Sequence, residues 1–111
     1  MKMNVIDREG VIIIELKGKI MGGPDAALLS DKLHELVDNK KNKVVVDLSK
    51  VNWMNSSGLG ILIGGLTTMR NSSGDLKLAR VTERIENLLI ITKLITVFET
   101  FNNVEDAVKS F

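Results

Sequence analysis

The segment KVVVDL, residues 43 to 48, constrains the fold more than any other stretch of the chain, because three consecutive valines put apolar side chains on both of its faces. A strand of this kind has nothing to turn toward water, so it belongs at the centre of a sheet with side chains packed on both sides. The rest of the sequence supplies the layers. Residues 3 to 8 and 11 to 17 read as two short strands joined at Glu9-Gly10, and Ile12, Ile14 and Leu16 fall on one face with period two. Gly22, Gly23 and Pro24 break the chain and start a helix, with Asp25 complementing its dipole and Ala26, Leu29, Leu33, Leu36 and Val37 forming one apolar stripe. A second helix is expected from about Ser57 to Arg70, its buried stripe being Leu59, Leu62, Ile63 and Leu66. LKLAR reads as a further strand, Thr82 caps a third helix carrying Ile85, Leu88 and Leu89, TVFETF has strand chemistry, and Asn103 caps a short last helix. The order β-β-α-β-α-β-α-β-α predicts an α/β fold. Its central sheet is mixed and largely parallel, of about five strands, with about four helices.

No linker, repeat or low-complexity segment interrupts this order, and 111 residues suit a single domain spanning 1–111. A net charge of +1 provides no footprint for nucleic acid. The basic run NKKNK at 39 to 43 reads as a polar loop. The longest uncharged apolar run near the middle, Gly58 to Leu66, is far short of the roughly 20 residues that a membrane-spanning helix needs. With no cysteine and no apolar leader, the expected setting is the cytoplasm, without membrane insertion.

Catalytic chemistry finds little to use. A serine nucleophile needs a base, and the one histidine, His34, sits mid-helix between Leu33 and Glu35, where it reads as a surface residue. Gly58, Gly60 and Gly64 open a helix in the manner of a loosened dinucleotide fingerprint. Nearly ten residues separate them from the strand, however, and no acidic residue follows where a ribose would need one. Gly60 and Gly64, four apart, read instead as positions where the helix presses on the sheet. One histidine and scattered carboxylates offer no metal-ligand spacing, and no cofactor is expected. Trp53 reads as a packing anchor, or as an interface residue if part of its indole is exposed.

What remains is the serine pair in NWMNSSGLGILIGGL, residues 52 to 66. One oxygen, from Ser56 or Ser57, suffices to cap the second helix, a contribution of about 0.5–2 kcal/mol. The other hydroxyl is then spare, at a positive helix end, and is a candidate acceptor for phosphate.

Over its whole length the chain resembles the anti-sigma factor antagonists, the STAS domains. VVVDLSKVNWMNSSGLGILIG is similar to that family's signature, in which a strand ending in DLS leads to an acidic residue, two serines and Gly-Leu-Gly. The step from Leu16 to Ile20, VTERIENLLIITKL and VEDAV also match. The resemblance implies a STAS-like sheet flanked by helices and a protein that is not an enzyme. It implies binding to a kinase-like anti-sigma factor, release of a sigma factor, phosphorylation of Ser57 by that serine kinase, and reversal by a phosphatase. Asn55, Ser56, Gly58 and Leu59 would then frame the docking surface.

Two residues depart from the family pattern. Asn55 stands where an aspartate usually precedes the serine pair, and Met21 stands where many members carry an aspartate after the Gly-x-Ile step. Gly22, Gly23 and Asp25 lie one helix start away and are candidates for a substitute acidic contact. The alternative reading is a STAS scaffold without a phosphoswitch, for example a subunit of a lipid-transport or sensor assembly.

Overall fold

The computed structural model describes the whole chain, Met1–Phe111. Its elements follow the order β1 (Lys2–Arg8), β2 (Val11–Ile20), α1 (Pro24–Asp38), β3 (Lys43–Met54), α2 (Ser56–Asn71), β4 (Asp75–Ala79), α3 (Glu83–Ile91), β5 (Thr100–Phe101) and α4 (Val104–Lys109). The strands form one five-stranded sheet in the order β1-β2-β3-β4-β5. β1 pairs antiparallel with β2, and every later pair is parallel, so the sheet is mixed and mostly parallel as expected.

β3 lies at the centre, and its alternation sorts the two layers. Val44, Val46 and Leu48 join Ile12, Ile14 and Leu16 on the face covered by Leu29, Leu33 and Leu36 of α1, Leu59, Leu62, Leu66 and Met69 of α2, and Ile85 and Leu89 of α3. Val45 turns the other way, into a smaller cluster with Val11, Ile13, Ala79 and Ala107 of α4. Three helices therefore cover one face and a single short helix part of the other. Burial of each large aliphatic side chain contributes about 1.5–3 kcal/mol. Most of the helical stripe residues read from the sequence are spent on this packing, but Ala26 lies outside it, Val37, Ile63 and Leu88 are only partly buried, and Met69 joins it.

Two buried charges are held by named partners. Asp47, 3% exposed, accepts from the Ser49 main-chain N–H at 2.9 Å and lies 3.5 Å from Arg80 Nη1. Lys77, 6% exposed, donates to the Ser110 carbonyl and hydroxyl at 3.1 and 2.8 Å and lies 3.2 Å from Glu99. Its ammonium also sits 4.4 Å from the Phe111 ring centroid, so β4 is covered on both faces and the chain end is tied beneath the sheet.

Three expectations are corrected in detail. β2 and β3 run on to Ile20 and Met54, past the ends read at Lys17 and Leu48, the pair continuing through a polar stretch with register shifts between Glu15 and Lys17 and between Gly18 and Lys19. Only Thr100–Phe101 of TVFETF pairs as a strand, Phe98 being taken into the main core. Gly60 and Gly64 face open space, whereas Gly58 and Gly65 make the close approaches. A Cβ on Gly58 would collide with the main-chain carbonyl of Ile20, and one on Gly65 would come within 2.8 Å of Leu33 Cδ1.

Candidate functional site

The extended ends of β2 and β3 bring two loops together at one end of the sheet. β3 finishes at Met54, beside Ile20 of β2, and the chain turns at Asn55 into α2. β2 finishes at Ile20 and passes through Met21, Gly22 and Gly23 into α1. Gly22 and Gly23 hold φ values of 94° and 61°, a left-handed backbone that glycine adopts without strain. A Cβ on Gly22 would stand 3.1 Å from the Cβ of Ser57, so this glycine is what allows the first loop to lie against the second serine.

Asn55 is the cap of α2. Its side-chain oxygen accepts from the Gly58 N–H at 2.8 Å, and its main-chain carbonyl accepts the first helical bond from Leu59 at 2.9 Å. This corrects the expectation that a serine caps the helix. The residue three positions before Gly58 has the required extended backbone, with φ −104° and ψ −178°, while Ser56 and Ser57 already lie inside the first turn. Both serines are exposed, and neither hydroxyl takes part in a hydrogen bond within the chain. Asn55 also points its amide toward the Met21 carbonyl, a long contact of 3.5 Å that an aspartate could not make.

The other expected site residues divide by depth. Met21 is 50% exposed, and Ser56, Ser57 and Gly23 share the open surface around it. Gly58 and Leu59 lie beneath that surface, a correction to their expected place on the docking face: Gly58 is seated on Ile20, and Leu59, 1% exposed, belongs to the core stripe. Asp25 is turned back on its own loop, its carboxylate 3.4 Å from the Met21 main-chain N–H and 3.6 Å from the Met1 amine. It is the acidic group nearest the loop in sequence, and part of its capacity is already used. His34 is a surface residue whose Nδ1 lies 2.8 Å from the Ser30 carbonyl and 3.3 Å from the Ser30 hydroxyl, within its own helix.

Two features of the site were not evident beforehand. A groove of about 450 Å³ runs between α1 and α2, with Gly22, Ala26, Ser30, Ser57, Gly60 and Gly64 among its walls. The glycines misread as packing positions open this groove by lacking side chains. Trp53, 41% exposed, carries the Arg84 guanidinium 5.1 Å from its ring centroid, a cation–π pair bridging β3 and α3. Arg84 carried no periodic signal that could have paired it with Trp53.

This arrangement offers an exposed, unengaged hydroxyl at a helix N-terminus and no base, metal cluster or buried acid pair beside it. It lies on the exposed end of an α/β domain. The STAS domain family model matches residues 2–107, and the chain belongs to that family. It is 30% identical over 92 residues to the anti-sigma-B factor antagonist of Bacillus subtilis, covering 83% of each chain. Among solved structures, TM1081 of Thermotoga maritima superposes with a TM-score of 0.87 at 21% identity, over 97% of this chain and 92% of that one. The phosphorylated form of the Bacillus cell fate determinant SpoIIAA superposes with a TM-score of 0.75 at 14% identity, over 98% of each chain. At these identities the structural likenesses speak for the fold.

Proposed function

We propose that this chain is an anti-sigma factor antagonist, a non-enzymatic cytoplasmic regulator that exchanges partners when Ser57 is phosphorylated. In this reading the unmodified form binds a kinase-like anti-sigma factor and frees a sigma factor. The kinase then phosphorylates Ser57 and ends the association, and a phosphatase restores it. The observation that carries the reading is the free, exposed hydroxyl of Ser57 in the first turn of α2, left spare because Asn55 caps the helix. The relative from Bacillus subtilis supports the same class.

The energetics separate folding from recognition. Phosphate adds about −1.5 to −2 charge at pH 7. At a helix N-terminus negative charge is favoured by roughly 0.3–1 kcal/mol, so the modified domain keeps its fold. At a docked interface an unpaired charge costs about 2–5 kcal/mol. Each 1.4 kcal/mol is tenfold in affinity, which is enough to exchange partners. Asn55 also matters here, because it holds the cap without placing a carboxylate beside the incoming phosphate.

The test is incubation with candidate anti-sigma kinases followed by mass spectrometry of the 55–70 peptide. Phosphate on Ser57, and its loss in Ser57→Ala, supports the reading; phosphate only elsewhere removes it. One observation favours a second reading, a STAS scaffold whose loop is never phosphorylated: the loop lacks carboxylates at 21 and 55, and Asp25 is engaged with Met21. Under that reading Ser57→Asp leaves every interaction of the chain unchanged.

A further inference from the structure

The pairing of β2 with β3 continues to Ile20–Met54, whereas β4 pairs with β3 only through Lys43–Asp47 and β1 reaches β2 no further than Lys17. The last residues of β2 and β3 therefore form a two-stranded ribbon projecting beyond its neighbours and ending at the Ser57 loop. Its outer surface carries an uncompensated charge pattern. Lys17 stands opposite Lys50, and Lys19 stands opposite Trp53. None of Lys17, Lys19, Lys50 or Arg84 belongs to any of the six ion pairs of the chain. Glu83 and Glu86 flank Arg84 on α3, and neither reaches it. Like charges directly opposed across a ladder are destabilising, so the ribbon carries a cost that no internal acid relieves.

Around Trp53 the ribbon forms a shallow depression of about 550 Å³ lined by Lys19, Met21, Asn52, Trp53 and Arg84. Trp, Arg and Met are the residue types enriched where proteins meet proteins. We infer that this depression seats an acidic segment of the partner protein. Its carboxylates would meet Lys19 and Arg84, and an aliphatic side chain would lie against Met21 and Trp53. A nucleic acid is the poorer fit: the chain's net charge is +1, and one face of the indole is already covered by Arg84. The inference rests on the reading that a partner docks at the Ser57 loop, and it supplies the electrostatic reason why phosphate there disrupts docking. Met21 lines the seat and its neighbour Gly22 packs against Ser57, so phosphate on Ser57 adds negative charge at the loop that borders a seat made for carboxylates.

Trp53 is the only tryptophan, so its emission reports on this depression directly. The probe is the peptide acetyl-Glu-Leu-Glu-Asp-Leu-Glu-amide, titrated into the full chain and followed by Trp53 emission and by calorimetry. The control peptide replaces each acid by its amide. The acidic peptide is expected to bind saturably and at least about fivefold tighter than the control, weakening several-fold between about 50 and about 300 mM salt. Lys19→Gln with Arg84→Gln weakens it roughly tenfold in a variant that circular dichroism shows still folded, while Lys109→Gln on α4 leaves it unaltered. Equal binding of the two peptides, or an unaffected double variant, overturns the inference. So does tighter binding of an oligothymidylate or of phosphatidylglycerol vesicles. Failure of this titration with Ser57 still phosphorylated removes the acidic seat alone. A Ser57 that no kinase modifies removes the switch and leaves the titration as it was.

Discussion

The side-chain oxygen of Asn55 lies 2.8 Å from the main-chain nitrogen of Gly58, and this one bond closes the amino end of α2 without drawing on either serine. The residue that departs from the family's acidic pattern is thus the one that keeps Ser56 and Ser57 free.

Removing that bond exposes its worth. Asn55→Ala is expected to lower stability by about 0.5–2 kcal/mol, while Asn55→Asp, which caps equally well and adds charge at the positive helix end, matches or exceeds wild type. Denaturant unfolding checks this, read as a shift in midpoint at constant slope.

The glycines of α2 divide by sign. Gly60→Ala points a methyl group into open space within the helix and is expected to stabilise by about 0.5–1 kcal/mol. Gly58→Ala drives the same methyl group into the Ile20 carbonyl and is expected to destabilise by about 1–3 kcal/mol. Thermal unfolding of the two variants side by side reads the difference.

Charge at residue 57 is expected to separate stability from recognition. Ser57→Asp keeps the fold with a gain of at most about 1 kcal/mol that fades in high salt. If the proposed function holds, the same variant is expected to lose an anti-sigma partner that wild type binds, which size-exclusion of the mixed proteins would register.

At the far end of the sheet, Asp7 titrates below the ordinary carboxylate value of 3.8. The main cause is the hydrogen bond from Lys41, followed by the Gly10 N–H. A folded-state value lower than the unfolded one means that its stabilisation is present above about pH 3.8 and is lost as pH falls through the folded value. Lys41→Met is expected to return the Asp7 titration, followed by carboxyl NMR, toward 3.8.

The order of all nine elements was legible because the apolar stripes of α1, α2 and α3 and the valine run of β3 are each spent on burial. The caps at Thr82 and Asn103 were legible for the same local reason, accepting from Ile85 and Asp106. The cap of α2 was not, because three residues in a row, Asn55, Ser56 and Ser57, are all good caps, and the choice depends on where β3 stops. That end was hidden in turn, since KGKI and SKVNWM show no clean alternation while the ribbon twists through its register shifts. The glycine error had an available remedy: Gly58 and Gly65, seven apart, share the helical phase of Leu62, Leu66 and Met69, whereas Gly60 and Gly64 fall outside it. The Trp53–Arg84 contact joins residues thirty-one positions apart, and only the folded chain reveals it.

Gly58 rests on the Ile20 carbonyl with room for a hydrogen and nothing larger. The helix that bears Ser57 is therefore bolted to its strand at the very turn a signal would have to move. On the proposed reading, a phosphate written on Ser57 would be read by touch at the rim rather than through a shift of α2.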